Sequence, residues 1–224
     1  KAETNKMKQL GGDCVEQAQS MVNPKMASAR ASELEGEDAL RGHLYRLIAH
    51  YLSAPPSQSD LQLAAALSAS RETPLGNCVI ALAEAARATT DQQEADAYQE
   101  LFIGLGRGVL VPYGSYYLTG FLNEKPLARL RVDMAARGIA RREDVSDPED
   151  HIASVLEMMA GLIGGQFGAC SPEAQRGFFE QHLGSWAPHF FRDLSVDETS
   201  AFYAALGALG ARFIEMEEHA FRLS

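Results

Sequence analysis

Apolar residues recur at three- and four-residue intervals along most of this chain, and the elements this pattern predicts are helices. From Glu33, Leu40, Leu44, Leu47 and Tyr51 follow a 4-3-4 spacing on one helix face, stopped by Ala54-Pro55-Pro56. Ser59-Asp60 can cap a second helix carrying Leu61 to Leu67, and a third follows Pro74 with Val79 and Leu82 inward. Asp91 opens a helix bearing Tyr98, Leu101, Phe102 and Leu105, after which Gly104, Gly106 and Gly108 break the pattern. Those glycines read as a loop rather than a phosphate cradle, because no strand precedes them and no basic residue follows at the right place.

A helix from roughly Leu122 to Arg137 comes next, with Gly138 placed to end it. Ser146-Asp147-Pro148-Glu149 reads as a capping box opening a helix that presents Ile152, Val155, Met159 and Leu162 and ends at Gly164-Gly165. Ser171-Pro172-Glu173 starts another, and a short aromatic helix surrounds Trp186. Ser195-Val196-Asp197-Glu198 reads as a second capping box, followed by a stripe of Phe202, Leu206, Leu209, Phe213 and Met216. Val109 to Tyr117 is the one candidate strand, and Pro112 and Gly114 argue against it. The expected fold is all-α, a single-domain bundle of about eight to ten helices.

Residues 1–30 are polar and carry few large apolar side chains, so they read as an N-terminal extension to an all-helical domain over 31–224. Met26 followed by Ala-Ser-Ala would fit a natural start, with residues 1–25 outside the native protein.

Composition narrows the function classes. Of the 224 residues 46 % are hydrophobic and 22 % charged, the balance of a soluble globular protein. The formal net charge of −10 argues against a nucleic-acid partner, which would need a basic stripe, and suits a basic one. No apolar run approaches the roughly 18 residues of a membrane span. The N-terminus lacks the order of a secretory signal. Cys14, Cys78 and Cys170 are odd in number and show no CxxC spacing, so a reducing cytoplasm is expected, with no disulfide framework and no zinc site.

Three clusters could carry chemistry. Tyr98, Leu101 and Phe102 share a helix face that could line an apolar groove or belong to ordinary core. Val111-Pro112-Tyr113-Gly114-Ser115-Tyr116-Tyr117 puts three tyrosines in a Pro/Gly-punctuated loop, suited to recognition or simply to tying two helices together. Asp147-Pro148-Glu149-Asp150-His151 crowds three carboxylates at a helix start, more than capping requires. The Asp150-His151 pair raises the alternative of a metal-dependent hydrolase. Against it, adjacent helical residues point about 100° apart and do not converge on one ion. The other histidines form no HxxxH or HExxH pattern, and no GxSxG is present.

In order and spacing these motifs resemble the TorD/DmsD/NarJ family of redox-enzyme maturation chaperones. Tyr98-Gln99-Glu100-Leu101-Phe102 resembles its (Y/F/W)xxLF element, Val111-Pro112-Tyr113-Gly114-Ser115 its Pro-aromatic loop, and Asp147-Pro148-Glu149-Asp150-His151 its (D/E)PxDH element. Leu183-Gly184-Ser185-Trp186-Ala187-Pro188 to Phe190-Phe191 resembles its later tryptophan segment, and the likeness spans roughly residues 39–223. The resemblance implies a non-enzymatic cytoplasmic chaperone, without cofactor or metal, working as a monomer or homodimer. Its partners would be the twin-arginine signal peptide and the apo catalytic subunit of an exported molybdenum- or tungsten-cofactor oxidoreductase, held until the cofactor is inserted. Carried over by motif, the peptide-binding residues would be Tyr98, Leu101, Phe102, Pro112, Tyr113, Asp150 and His151. The Tyr-Gly-Ser-Tyr-Tyr loop resembles that of formate-dehydrogenase accessory proteins more than that of NarJ.

Overall fold

The computed structural model describes residues 24–104, 108–141 and 147–223, with side chains from residue 36. Among them lie ten α-helices and one π-helical turn: α1 (Pro24–Ser53), α2 (Gln58–Ala65), α3 (Pro74–Arg87), α4 (Asp91–Tyr98), the π turn (Gln99–Ile103), α5 (Gly114–Thr119), α6 (Lys125–Ala136), α7 (Ile152–Ile163), α8 (Pro172–His182), α9 (Ala187–Ser195) and α10 (Ala201–Leu223). No strand forms among the described residues; the nearest thing is an isolated antiparallel bridge between Tyr113 and His151. The all-α expectation therefore holds. The chain divides into two compact units, residues 1–40 and 41–224, and all three candidate motifs belong to the second.

Local sequence explains most helix starts. Ser57, Thr73, Thr90 and Ser171 each accept a backbone N–H with their side-chain oxygen, and Pro74 and Pro172 take first-turn positions where no N–H is missed. Gly138 follows α6 at φ +68° and Gly165 follows α7 at φ +67°, the left-handed conformation in which glycine ends helices cheaply.

Five expectations change. Helix α2 is capped by Ser57, with Asp60 closing the box, rather than by Ser59-Asp60. The buried face of α1 is Tyr45, Ile48, Ala49 and Leu52 together with Tyr51, while Leu44 and Leu47 are only half-buried. Apolar residues populate more than one side of that helix, so spacing alone did not choose the face. The helix placed at Leu122–Arg137 starts at Lys125 instead. Helix α7 starts at Ile152, capped by His151 rather than by a box at 146–149, and Ser146 lies outside the described residues, as do Leu105 and Gly106. Ser195 closes α9 instead of opening α10; the Ser200 hydroxyl accepts the Phe202 and Tyr203 N–H groups there.

The core is aromatic. Phe178, Phe179, Trp186, Phe190, Phe191, Phe202, Tyr203 and Phe213 are fully buried on α8, α9, α10 and the turn before α9. Helices α9 and α10 pack closely because Gly207 and Gly210 present no side chain; a Cβ on Gly210 would stand 2.2 Å from the Phe191 ring. The Arg41 guanidinium donates to both Glu217 oxygens at 2.8 Å, and the Tyr45 hydroxyl donates to Glu217 at 3.0 Å, tying α1 to α10.

Candidate functional site

The π turn sets the first part of the site. Opening a helix from four- to five-residue hydrogen bonding offsets the side chains that come after it, and such turns are frequent at functional positions. Here it carries Leu101 into the core at 0 % exposure and leaves Phe102 half-buried. Tyr98, four residues before Phe102, meets its ring edge-on at 5.0 Å. Both rest on Tyr203 of α10, at 6.1 and 5.5 Å.

The chain then folds back over the turn. The Leu110 N–H donates to the Leu101 carbonyl at 2.8 Å and the Val109 N–H to Glu100 at 3.3 Å. Gly108 permits this return, since a Cβ there would lie 2.4 Å from the Leu101 oxygen. Ile103 and Val109 remain exposed on either side.

The second and third motifs are stitched together by backbone. The Gly114 N–H donates to the Asp150 carbonyl at 2.9 Å, and the Ile152 N–H donates to the Pro112 carbonyl at 2.8 Å. Across that bridge the Tyr113 and His151 rings meet edge-on at 5.1 Å. Gly114 lies against the Trp186 indole, where a Cβ would come within 3.0 Å of Nε1. That indole is fixed in turn, donating to the His182 carbonyl at 2.7 Å.

Asp150 is 3 % exposed, and its Oδ2 accepts the Ser115 N–H at 2.7 Å, capping α5 from a distance. His151 is also buried, with Nδ1 accepting the Ala153 N–H at 3.3 Å. Burial pushes the His151 imidazole down to about 4, against the opposing pull of Asp147 and Asp150, so the ring is neutral at pH 7. The pair therefore serves two helix N-termini and does not converge on one point. Among the described residues no three His, Cys, Asp or Glu side chains gather in a way that could hold a metal ion.

Asp147 is the exposed carboxylate of the cluster, and the Tyr113 hydroxyl donates to it at 2.9 Å. Burial first, and then the Asp147 charge, lifts the Tyr98 phenol to about 12. Burial and Asp147, with smaller contributions from Tyr98 and Asp150, hold Tyr113 well above its ordinary range. The second and third motifs thus meet at Asp147, and the Tyr98 phenol of the first feels its charge. Tyr98, Phe102 and Tyr113 are half-exposed, whereas Leu101, Pro112, Asp150 and His151 lie buried behind them. Sequence spacing treated Asp147 only as a cap and did not find Tyr203, which lay one residue off the α10 stripe it could have been read from.

Behind Asp147 opens a cavity of about 360 Å³, lined by Arg46, Met134, Ile139, Arg141, Asp147, Glu149, Glu157, Met158 and Phe167 among others. Arg131 holds the Glu149 carboxylate at 2.8 and 3.0 Å, and Arg141 stands 3.9 Å from its other oxygen.

The family model described as nitrate reductase delta subunit matches residues 68–192, which span all three motifs. The chain belongs to this TorD/NarJ family. Chaperone protein TorD of Vibrio cholerae is 31 % identical over 186 residues, covering 77 % of this chain and 81 % of that one. TorD of Aliivibrio fischeri is 28 % identical over 207 residues, covering 83 % and 96 %. A probable Tat proofreading chaperone DmsD of Haemophilus influenzae is 32 % identical over 126 residues, 55 % of this chain and 60 % of its own. In fold, this TorD-like chain resembles the crystal structure of a putative redox enzyme maturation protein from Archaeoglobus fulgidus, with a TM-score of 0.54 over 78 % of this chain and 93 % of that one, at 23 % identity. The TorD-like helices include none, among the described residues, long and apolar enough to cross a membrane.

Proposed function

We propose that this redox-enzyme maturation chaperone binds the twin-arginine signal peptide of an exported molybdenum- or tungsten-cofactor oxidoreductase, or its apo catalytic subunit, in the cytoplasm until the cofactor is inserted. The observation that carries the reading is that the half-exposed rings of Tyr98 and Phe102 pair edge-on, while the half-exposed Tyr113 donates its hydroxyl to the solvent-facing Asp147. Such a face suits a peptide with a basic start and an apolar continuation. Exposed Ile103 and Val109 extend the apolar side. The Tyr113-Gly114-Ser115-Tyr116-Tyr117 loop makes a formate dehydrogenase the first client to try.

On this reading the roles divide by exposure. Tyr98, Phe102 and Tyr113 make contact, and Leu101, Pro112, Asp150 and His151 hold the contact residues in place from behind. Asp147 takes the charged end. Burying an aromatic side chain contributes roughly 1.5–3 kcal/mol, and an exposed ion pair only about 0.2–1 kcal/mol. Calorimetry with a twin-arginine peptide should therefore show Phe102→Ala weakening binding roughly tenfold or more, while Asp147→Asn costs less than about fivefold at moderate salt. Equal losses would refute the division, and absence of binding by the unmutated protein would refute the function.

A further inference from the structure

The cavity behind Asp147 is built like a side-chain receptor. Its walls are apolar at Met134, Ile139, Met158 and Phe167, and polar at Ser154 and Gln166. Phe167 reaches this position because Gly161 has no side chain; a Cβ there would stand 2.4 Å from the Phe167 ring. At about 360 Å³ the space is at the low end for a ligand pocket, enough for one long side chain.

The charges around it are not equally engaged. Glu149 is held by Arg131 and approached by Arg141. Arg46 donates to the Ala160 carbonyl at 3.4 Å. Among the described residues Glu157 is exposed and forms no ion pair, and Asp147 accepts only the neutral Tyr113 hydroxyl. Among the described residues the lining sets three carboxylates against two guanidiniums, a poor host for an anion.

We propose that this cavity receives one arginine side chain of the client peptide, its guanidinium between Asp147 and Glu157 and its methylenes along Met134, Met158 and Phe167. The proposal rests on the peptide-binding reading above and adds a place to it. Methionine adapts to an irregular partner, the Phe167 ring can attract a cation, and the planar guanidinium can address two carboxylates where an ammonium presents a point charge. Asp147 belongs to both surfaces, so a peptide with its apolar part on Tyr113 has its basic end at the cavity mouth. Glu157 then acts as a specificity residue for arginine.

The test pairs two changes. Synthetic peptides with two adjacent arginines and an apolar continuation, and versions with each arginine replaced by alanine, are titrated against the full chain and its Glu157→Gln variant. Glu157→Gln should weaken the two-arginine peptide roughly fivefold and leave one of the alanine peptides unchanged, because the partner is already gone. Replacing both arginines by lysine should cost at least as much. In parallel, ¹³C-methyl signals of Met134 and Met158 should shift with the two-arginine peptide and not with that alanine version. If the peptide binds but the losses simply add and those methionines do not respond, the subsite is refuted and the peptide-binding reading stands. If the unmutated chain binds none of the peptides, that reading falls and the subsite falls with it. A response of the two methionines to inorganic phosphate instead would mark an anion site and overturn the proposal.

Discussion

The Asp150 carboxylate directs one oxygen at the Ser115 N–H, 2.7 Å away, and the other, though buried, finds no partner among the described residues. A buried carboxylate engaged in this way is structural first. Asp150→Ala should lower unfolding free energy by about 0.5–2 kcal/mol in urea titrations with an unchanged m-value, the usual cost of a lost cap. Asp147→Ala, at an exposed position, should change stability by less than about 0.5 kcal/mol. A larger loss for Asp147 than for Asp150 would reverse the assignment. At this scale the sequence named the segment but not which of its carboxylates is exposed. Asp147 and Asp150 are three residues apart in one motif, and only the fold decides which faces water.

Helix α7 begins where an imidazole supplies the cap, and this has a pH signature. The folded His151 titrates near 4 against an ordinary 6.5, so between those values the unfolded chain binds a proton that the folded chain does not. Stability is therefore full above about pH 6.5 and falls as the solution is acidified toward pH 4, by about 3 kcal/mol at most. His151→Asn keeps an oxygen acceptor at the cap and should flatten the slope of melting temperature with pH across that interval. An unchanged slope would mean other groups carry the acid sensitivity. The same helix shows what was legible. Starts capped by their own neighbours, as at Thr90 and Ser171, could be read locally, and so could the glycine stops after α6 and α7. Starts at His151 and Ser200 could not. A histidine cap is not a usual signal, and the Ser200 hydroxyl is also engaged by Glu94 from α4, at 2.6 Å.

In the 41–224 unit one tie joins the two ends of the sequence around a buried carboxylate. Glu217 at 3 % exposure gathers Arg41 and the Tyr45 hydroxyl, and Arg41 also lies 5.3 Å over the Phe221 ring. Removing the carboxylate leaves a largely buried guanidinium without its main partner, so Glu217→Ala should cost about 3–5 kcal/mol in chemical denaturation. A loss below about 1 kcal/mol would show that the other partners of Arg41, Gln175 and the Phe221 ring among them, suffice. No periodicity predicts such a tie, because its members stand on α1 and α10 at opposite ends of the unit's sequence. The helical class and the three motifs were legible, and the family resemblance implied that they share one site; the contacts that join them were not, since they depend on the return of the chain over the π turn and on the Trp186 indole beneath Gly114.

The second and third motifs meet at one bridge, and the bridge couples them in time as well as in space. The amide protons of Gly114 and Ile152 are each held by the opposite segment. Neither can exchange with solvent unless the two segments part, so they form one opening unit. A client that grips Tyr113 must then slow exchange at Ile152, the first residue of α7, which it never touches. Occupancy at the surface is thereby written into the protection of a core helix.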